Sequence, residues 1–286
     1  MSVVIIGSGN WGTTLAGLIN PEQQVRLWCK SADLIEPARQ ALRDISGADR
    51  VPITVETAFS SPLSAEDVVV LVVPSSQVEP VTLLLREHCR PPLPVIVTGS
   101  KGLERATFRT MSQVISAVWP EATVAVLSGP TIAREIAQGR PAKLVLGCEN
   151  VHVLLSVAKT LRSDRLHLDM TRDKVDVELC AAMKGVFAIG AGVIAGRGLG
   201  CNDMGLLLTY GLKEMGNLAH FLEAFGGIVA QLILVGARQL PGDIGRQRQR
   251  AANLAQQGDA QHALLIAGIL ARQRLHQRRG RDLAQV

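Results

Sequence analysis

Residues 3–12 read Val-Val-Ile-Ile-Gly-Ser-Gly-Asn-Trp-Gly, and this stretch decides the fold. Its first four residues form an apolar, β-branched run, which is typical of a strand buried on both faces. The glycines that follow permit a tight turn, a close approach of the backbone to a pyrophosphate, and close packing of the next helix on the strand. The start of that helix offers N–H groups to an anion. The stretch predicts a dinucleotide-binding turn, and the alternative is a tight turn without a ligand.

The same alternation of strand and helix continues to residue 168. Strands are predicted at 3–6, 25–29, 68–73, 95–97, 124–127 and 143–147, and helices at 11–19, 34–43, 78–89, 108–118, 131–138 and 151–161. Strands that alternate with helices indicate a parallel sheet covered on both faces. After Leu168 only helical patterns occur, at 173–195, 203–224 and 251–273. The predicted fold is α/β, with a Rossmann-type doubly wound sheet in residues 1–168 and an all-helical domain in residues 169–286.

Composition supports a folded chain and disfavours nucleic acid as a partner. Hydrophobic residues make up 47% of the 286 residues and charged residues 19%, which excludes wholesale disorder. Aromatic residues are only 3%, too few for a platform on which bases stack. The net charge of +5 comes from an arginine-rich stretch after Gly236, which we interpret as a solvated surface.

The cysteines and the apolar runs bear on localisation. Five cysteines are widely spaced and suggest no disulfide pair, as expected in a reducing compartment. The N-terminus shows no charged leader with a cleavage site. The longest apolar run, residues 185–196, is too short to span a bilayer. We expect a cytoplasmic protein without a membrane span, and no metal site is predicted.

The end of the second predicted strand bears on the choice of cofactor. An acid at this position binds the ribose 2′-hydroxyl of NAD, whereas a cation accepts the 2′-phosphate of NADP. Here the strand is followed by Lys30, with no acid before Asp33. The sequence favours NADP, or tolerance of it beside NAD; the alternative for Lys30 is a solvated surface lysine.

Ligands of such a sheet bind beyond the carboxyl ends of its strands. One strand there is followed by a turn at Pro74, suited to cover the nicotinamide, and the next by Lys101 between glycines, suited to a phosphate or carboxylate. A third strand is followed by Gly129 and Thr131, where a helix is expected to begin at Pro130 and to bind an anion.

Lys184 lies in a predicted helix of otherwise small and apolar residues. We expect such an ammonium to lose hydration, which lowers its pKa and suits it to act as a general acid or base. The alternatives are a lysine that extends from the helix edge and one paired with Glu178.

Taken together, these motifs resemble the NAD(P)-dependent glycerol-3-phosphate dehydrogenase family. The matching stretches are Gly-Ser-Gly-Asn-Trp-Gly from residue 7, Val-Val-Pro-Ser from 72, Lys-Gly-Leu-Glu from 101, Ser-Gly-Pro-Thr-Ile-Ala-Arg-Glu from 128, Glu-Leu-Cys-Ala-Ala-Met-Lys from 178, Gly-Leu-Gly-Cys-Asn from 198 and Gly-Leu-Lys-Glu-Met from 211. The resemblance covers about residues 3–216. It implies hydride transfer between NAD(P)H and dihydroxyacetone phosphate, and leaves a homodimer open as the assembly.

The resemblance also implies roles for individual residues. Lys184 corresponds to the catalytic lysine, and substrate positions fall on Lys101, Gly129 and Thr131. Cofactor positions fall on Gly7, Ser8, Gly9, Asn10, Trp11, Gly12, Lys30, Pro74, Lys101 and Ala133. Two further substrate positions, Asp243 and Arg246, correspond to a phosphate pocket whose spacing is compressed here, and a rival alignment places Gln231 at the aspartate.

Some departures from the family pattern leave other functions open. The family has asparagine after its catalytic lysine, where this chain has Gly185, and the sequence after about residue 225 is divergent and short. One alternative is a related dehydrogenase that acts on another small phosphorylated or carboxylated ketone. A second is a nucleotide-binding protein without catalytic activity.

Overall fold

The computed structural model describes residues 2–129 and 131–225, with side chains described in its last helix up to residue 217. The helix predicted at 251–273, Asp243, Arg246 and the basic C-terminal stretch lie outside the described residues. Within them the chain divides into two compact units. The first comprises residues 2–104 and 109–181, and the second comprises residues 105–108 and the chain from residue 182.

An eight-stranded sheet organises the first unit. Its strands are β1 (Ser2–Ile6), β2 (Gln24–Trp28), β3 (Ile53–Glu56), β4 (Asp67–Leu71), β5 (Val95–Thr98), β6 (Thr123–Ser128), β7 (Ala142–Gly147) and β8 (Leu166–Thr171). They lie in the order β3-β2-β1-β4-β5-β6-β7-β8. Because the order reverses between β1 and β4, a crevice opens there at the carboxyl ends of the strands, where ligands of such sheets bind.

Helices cover both faces of the sheet. The helices are α1 (Asn10–Ala16), α2 (Ile35–Arg43), α3 (Ser75–His88), α4 (Met111–Val118), α5 (Ala133–Ala137), α6 (Val151–Leu161), α7 (Lys174–Gly196) and α8 (Cys201–Phe225). Alternate residues of β1 contribute to two cores: Val3 and Ile5 pack with α1, α5 and α6, whereas Val4 and Ile6 pack with α3 and α4. Burial of each such side chain contributes about 1.5–3 kcal/mol to folding.

The predicted fold class is confirmed, with two corrections to the sheet. Strands β3 and β8 were not predicted, and both lie at its edges. Their sequences, Ile-Thr-Val-Glu in β3 and Leu-His-Leu-Asp in β8, alternate in polarity and lack the continuous apolar runs of β1 and β4. In addition, β7 pairs antiparallel with β6, whereas the prediction was a parallel sheet. The five residues of α5 extend about 7.5 Å, too short to return the chain along a six-residue strand of about 20 Å.

The predicted division after residue 168 falls inside β8, which continues to Thr171. By contacts, the first unit extends to Ala181, within α7. The apolar run predicted to be too short for a bilayer belongs to α7, whose 23 residues are by length and composition sufficient to cross one. One such helix is weak evidence, so α7 alone does not indicate a membrane protein.

The described part of the second unit contains a close helix pair. A Cβ added at Gly211 of α8 would lie 2.3 Å from the Phe187 ring of α7, and one at Gly190 of α7 would lie 3.1 Å from Leu207 of α8. These glycines let α7 and α8 approach each other, because a larger residue at Gly211 would displace the aromatic ring.

Candidate functional site

The turn between β1 and α1 requires glycine at two positions. Gly7 has φ +119°, and a Cβ there would lie 2.7 Å from the carbonyl oxygen of Val72, at the end of β4. A Cβ at Gly12 would lie 1.8 Å from the carbonyl oxygen of Gly7. The first glycine therefore permits the turn beside β4, and the second permits the helix to pack against that turn.

Gly9 is different, because the space beside it is open. A Cβ there would meet nothing within 4 Å, and its backbone is extended with φ −74°. Gly9 is the N-cap of α1, yet no side chain caps the helix, and no acid lies in its first turn. An open position at an uncapped helix start fits a pyrophosphate, whose charge the helix dipole stabilises. The residues present therefore fit a dinucleotide, with Ser8, Asn10 and Trp11 flanking the approach.

Ser100 joins the loops that follow β4 and β5. Ser100 is 9% exposed, and its hydroxyl accepts a hydrogen bond from the Val73 N–H at 3.1 Å and donates one to the Leu71 carbonyl at 3.4 Å. The Gly99 N–H donates to the same carbonyl at 2.7 Å. Sequence reasoning missed Ser100, because its partners lie 27 and 29 residues away and no local motif marks them.

This connection brings two predicted site positions together. Pro74 is the N-cap of α3, and Ser75 follows it. A Cβ at Gly102, where φ is +122°, would lie 3.4 Å from Cβ of Ser75. Lys101, between Ser100 and Gly102, is exposed. The structure thus places Lys101 beside the Pro74 turn and, through Val72, near Gly7.

The segment after β6, which contains Gly129 and Thr131, differs from its prediction. The helix expected to begin at Pro130 begins at Ala133 with Ile132 as N-cap, and it has only five residues. A Cβ at Gly129 would lie 3.0 Å from both the Lys143 carbonyl oxygen and a methyl group of Leu144, so this glycine lets the chain leave β6 beside β7. Thr131 is half-buried, and α5 packs against α1.

The charges at the carboxyl ends of β2 and β3 include a pair that the sequence did not reveal. Lys30, after β2, is exposed. The carboxylate of Glu56, the last residue of β3, accepts hydrogen bonds from Nε of Arg26 at 2.9 Å and from the Ser60 hydroxyl at 3.1 Å. Because Arg26 pairs with this carboxylate, Glu56 would oppose a 2′-phosphate near Lys30 much less than a lone carboxylate would.

The expected desolvation of Lys184 is wrong for the described structure. Lys184 lies on α7 and its side chain is exposed, as in the alternative of a lysine at the helix edge. Small neighbours leave a lysine of this kind accessible instead of enclosing it. The carboxylate of Glu178, the other proposed partner, accepts hydrogen bonds from Ser112. No cluster of three metal-ligating side chains occurs within residues 2–129 and 131–225.

Two family models match the chain over most of its length. The model described as NAD-dependent glycerol-3-phosphate dehydrogenase N-terminus matches residues 2–154, and its C-terminal counterpart matches residues 173–272. The first match alone covers more than half of the 286 residues and contains the β1–α1 turn.

The chain belongs to the NAD-dependent glycerol-3-phosphate dehydrogenase family.

Named relatives support this family assignment. The glycerol-3-phosphate dehydrogenase [NAD(P)+] of Syntrophotalea carbinolica is 33% identical over 262 residues, covering 87% of this chain and 77% of that protein. The protein of that name from Geobacter metallireducens is 34% identical, covering 88% and 78%. The crystal structure of the Coxiella burnetii glycerol-3-phosphate dehydrogenase matches 99% of this chain and 90% of its own, with a TM-score of 0.65 and 24% identity, which shows the shared fold.

Membership in the glycerol-3-phosphate dehydrogenase family makes this chain an NAD(P)-dependent oxidoreductase, with NAD or NADP as cofactor. The second family match extends beyond residue 216, where the sequence resemblance was expected to end, and includes Asp243 and Arg246. The interval between the two matches, residues 155–172, contains the predicted domain boundary.

Proposed function

We propose that this chain interconverts dihydroxyacetone phosphate and sn-glycerol 3-phosphate with NADP or NAD. The observation that carries the proposal is the turn at Gly7–Gly12, in which two glycines are sterically required and the third leaves an uncapped helix start open. The names of the relatives supply the substrate, a phosphorylated alcohol.

The cofactor would be held along the crevice between β1 and β4. The turn from Gly7 to Gly12 binds the pyrophosphate, Lys30 meets the ribose, and Pro74 lies beside the nicotinamide. Lys101 and Ala133 complete the set that the family resemblance implies. When bound, the nicotinamide supplies or accepts the hydride, and the protein must manage the proton.

Lys101 is the proposed ligand of the substrate's anionic group. It is exposed, and the hydrogen bonds of Ser100 hold the backbone on its N-terminal side. A fixed backbone limits where the ammonium can reach, which favours binding of a phosphate by a charge-assisted hydrogen bond. The resemblance adds Gly129 and Thr131 to the substrate positions; the tight packing of Gly129 supports a role in shaping the chain there.

Lys184 is the proposed general acid and base. Reduction of a ketone requires a proton at the oxygen, and oxidation of the alcohol requires its removal. An ammonium at Lys184 would donate this proton, and the neutral amine would accept it. Since Lys184 is exposed in the described structure, we propose that bound ligands are what exclude water from it.

We propose that the first unit is the dinucleotide-binding domain, that the following helices form the substrate domain, and that the protein acts in the cytoplasm. All five cysteines are free, including Cys180 and Cys201, which are exposed, and free thiols suit a reducing compartment.

A second candidate is a dehydrogenase of the same family that acts on a different small ketone. Gly185 favours it, since the family resemblance places an asparagine directly after the catalytic lysine. Loss of a side-chain amide removes a hydrogen-bonding group and would change which ketone fits best.

A scan of ketones distinguishes these candidates. The full-length protein is mixed with NADPH and with dihydroxyacetone phosphate, its unphosphorylated analogue, or small carboxylated ketones, and the loss of NADPH absorbance is followed. The proposal expects kcat/KM to be highest for dihydroxyacetone phosphate, by at least about tenfold over the unphosphorylated ketone. A higher value for a carboxylated ketone would support the second candidate, and NADPH binding without turnover on any ketone would support a non-catalytic protein.

A further inference from the structure

Glu178 is a buried carboxylate to which the proposed reaction assigns no role. The residue is 4% exposed and lies near the start of α7. One carboxylate oxygen accepts a hydrogen bond from the Ser112 N–H at 2.8 Å, and the other accepts one from the Ser112 hydroxyl at 2.5 Å. Both contacts join residues that are 66 positions apart, and they attach α7 to the first turn of α4.

Burial of a carboxylate is unfavourable in free energy unless hydrogen bonds replace its lost hydration. Burial raises the pKa of Glu178, while the Ser112 hydrogen bonds and the charge of Lys174 act in the opposite direction. A buried carboxylate is tolerated where partners satisfy it, and removal of either side leaves an unpaired polar group. Loss of the Glu178–Ser112 contact is therefore unfavourable.

The first turn of α4 also contacts the residues around Lys101. Thr110, the N-cap of α4, takes part in a capping box with Gln113, and its hydroxyl lies 3.2 Å from that of Ser112. Thr110 also forms an antiparallel bridge with Leu103, two residues after Lys101.

A second pair of residues, Glu104 and Arg109, joins the same two segments. The Glu104 N–H donates to the Arg109 carbonyl at 2.8 Å. The Arg109 guanidinium contacts both carboxylate oxygens of Glu104, at 3.0 and 3.3 Å. Residues 101–104, which we call the Lys101 segment, are thereby fixed to residues 109–112, and Glu178 binds the last of these.

We propose that Glu178 is a positioning residue for substrate binding, acting through Ser112 and the start of α4 to hold the Lys101 segment in place. The proposal rests on the proposed function, in which Lys101 binds the anionic group of the substrate. Glu178 itself does not contact substrate in this role; it determines how much freedom the backbone around Lys101 retains.

The kinetic test compares Glu178→Ala with Glu178→Gln in the full-length protein. Glu178→Ala removes both contacts and should raise the KM for dihydroxyacetone phosphate by about tenfold, while kcat and the KM for NADPH change by less than about threefold. Glu178→Gln keeps an oxygen that accepts a hydrogen bond from the Ser112 N–H, so its KM for dihydroxyacetone phosphate should lie close to the wild-type value. If Glu178→Ala only destabilised the fold, the fraction of active enzyme and hence the apparent kcat would fall, and the KM for dihydroxyacetone phosphate would not rise.

The matched control is Thr160→Val in α6. Thr160 is also a buried polar residue, 3% exposed, and its hydroxyl donates to the Ser156 carbonyl at 3.0 Å. Helix α6 packs on the opposite face of the sheet from α4. Thr160→Val should destabilise the protein without changing the KM for dihydroxyacetone phosphate.

Hydrogen exchange tests the connection without any substrate. In Glu178→Ala the amides of Glu104 and Ser112 should exchange at least about tenfold faster than in the wild type, whereas those of α6 should not. If Glu178→Ala does not fold, Ser112→Ala removes the shorter contact and replaces it in both experiments.

The outcomes separate this proposal from the proposed function. Unchanged exchange at Glu104 overturns the positioning role whatever the enzyme does. Faster exchange with an unchanged KM also overturns it, provided that Lys101→Ala raises the KM. If Lys101→Ala itself leaves the kinetics of an active enzyme unchanged, the substrate assignment to Lys101 is wrong, and the positioning role is overturned with it.

Discussion

The proposed cofactor preference depends on two charged residues, Lys30 and Glu56. The sequence predicted a cation at the ribose end, and the structure adds that the nearby acid is paired with Arg26 at 2.9 Å. The prediction could not include this pair, because Arg26 and Glu56 are 30 residues apart and adjacent strands bring them together. Lys184 shows the opposite case: an apolar sequence neighbourhood predicted burial, but the lysine is exposed.

Lys30→Ala should weaken NADPH binding by about 1–3 kcal/mol, because a charge-assisted hydrogen bond to the 2′-phosphate is lost. NADH, which lacks this phosphate, should bind almost as before. Calorimetric titration of both cofactors measures the difference, with Lys159→Ala, an exposed lysine of α6, as the control. A preference for NADH that Lys30→Ala leaves unchanged would show that Lys30 is an ordinary surface residue.

The strands that are buried on both faces were predictable from the sequence, and the strands at the sheet edges were not. Continuous apolar runs marked β1 and β4, and the glycine spacing marked the turn before α1. The alternating sequences of β3 and β8 gave a weaker pattern. The antiparallel direction of β7 was not predicted either, and α5, which precedes it, spans Ala133–Ala137 where the sequence predicted 131–138.

The turn before α1 allows a matched pair of substitutions. Gly12→Ala places a methyl group 1.8 Å from the Gly7 carbonyl oxygen and should lower the free energy of unfolding by about 1–3 kcal/mol or more. Gly9→Ala has open space and should change it by less than about 0.5 kcal/mol. Gly9→Ala should nevertheless raise the Kd for NADPH at least about tenfold, because the methyl group occupies the pyrophosphate approach.

Denaturant unfolding and cofactor titration of both variants measure these effects. The Gly9→Ala result is the informative one, since it separates binding from folding. Normal NADPH affinity in a stably folded Gly9→Ala variant would mean that the pyrophosphate does not approach the helix start.

At the scale of the whole molecule, the sequence predicted a dinucleotide-binding sheet followed by helices, and family membership agrees. Within the first unit, the predicted positions at Gly7, Pro74 and Lys101 lie at neighbouring strand ends. The hydrogen bonds of Ser100 to Val73 and of Glu178 to Ser112 were not predicted, because each joins residues distant in sequence. Motifs of local spacing indicate the groups proposed to meet ligands, whereas long-range hydrogen bonds become visible only in the folded chain.

The most direct test of the central claim compares the wild type with Lys184→Ala in the reduction of dihydroxyacetone phosphate by NADPH. If Lys184 donates the proton, the wild type consumes NADPH, and Lys184→Ala loses at least about a hundredfold in kcat while retaining its fold and its NADPH affinity. Equal turnover by Lys184→Ala in a wild-type-like fold would contradict the claim.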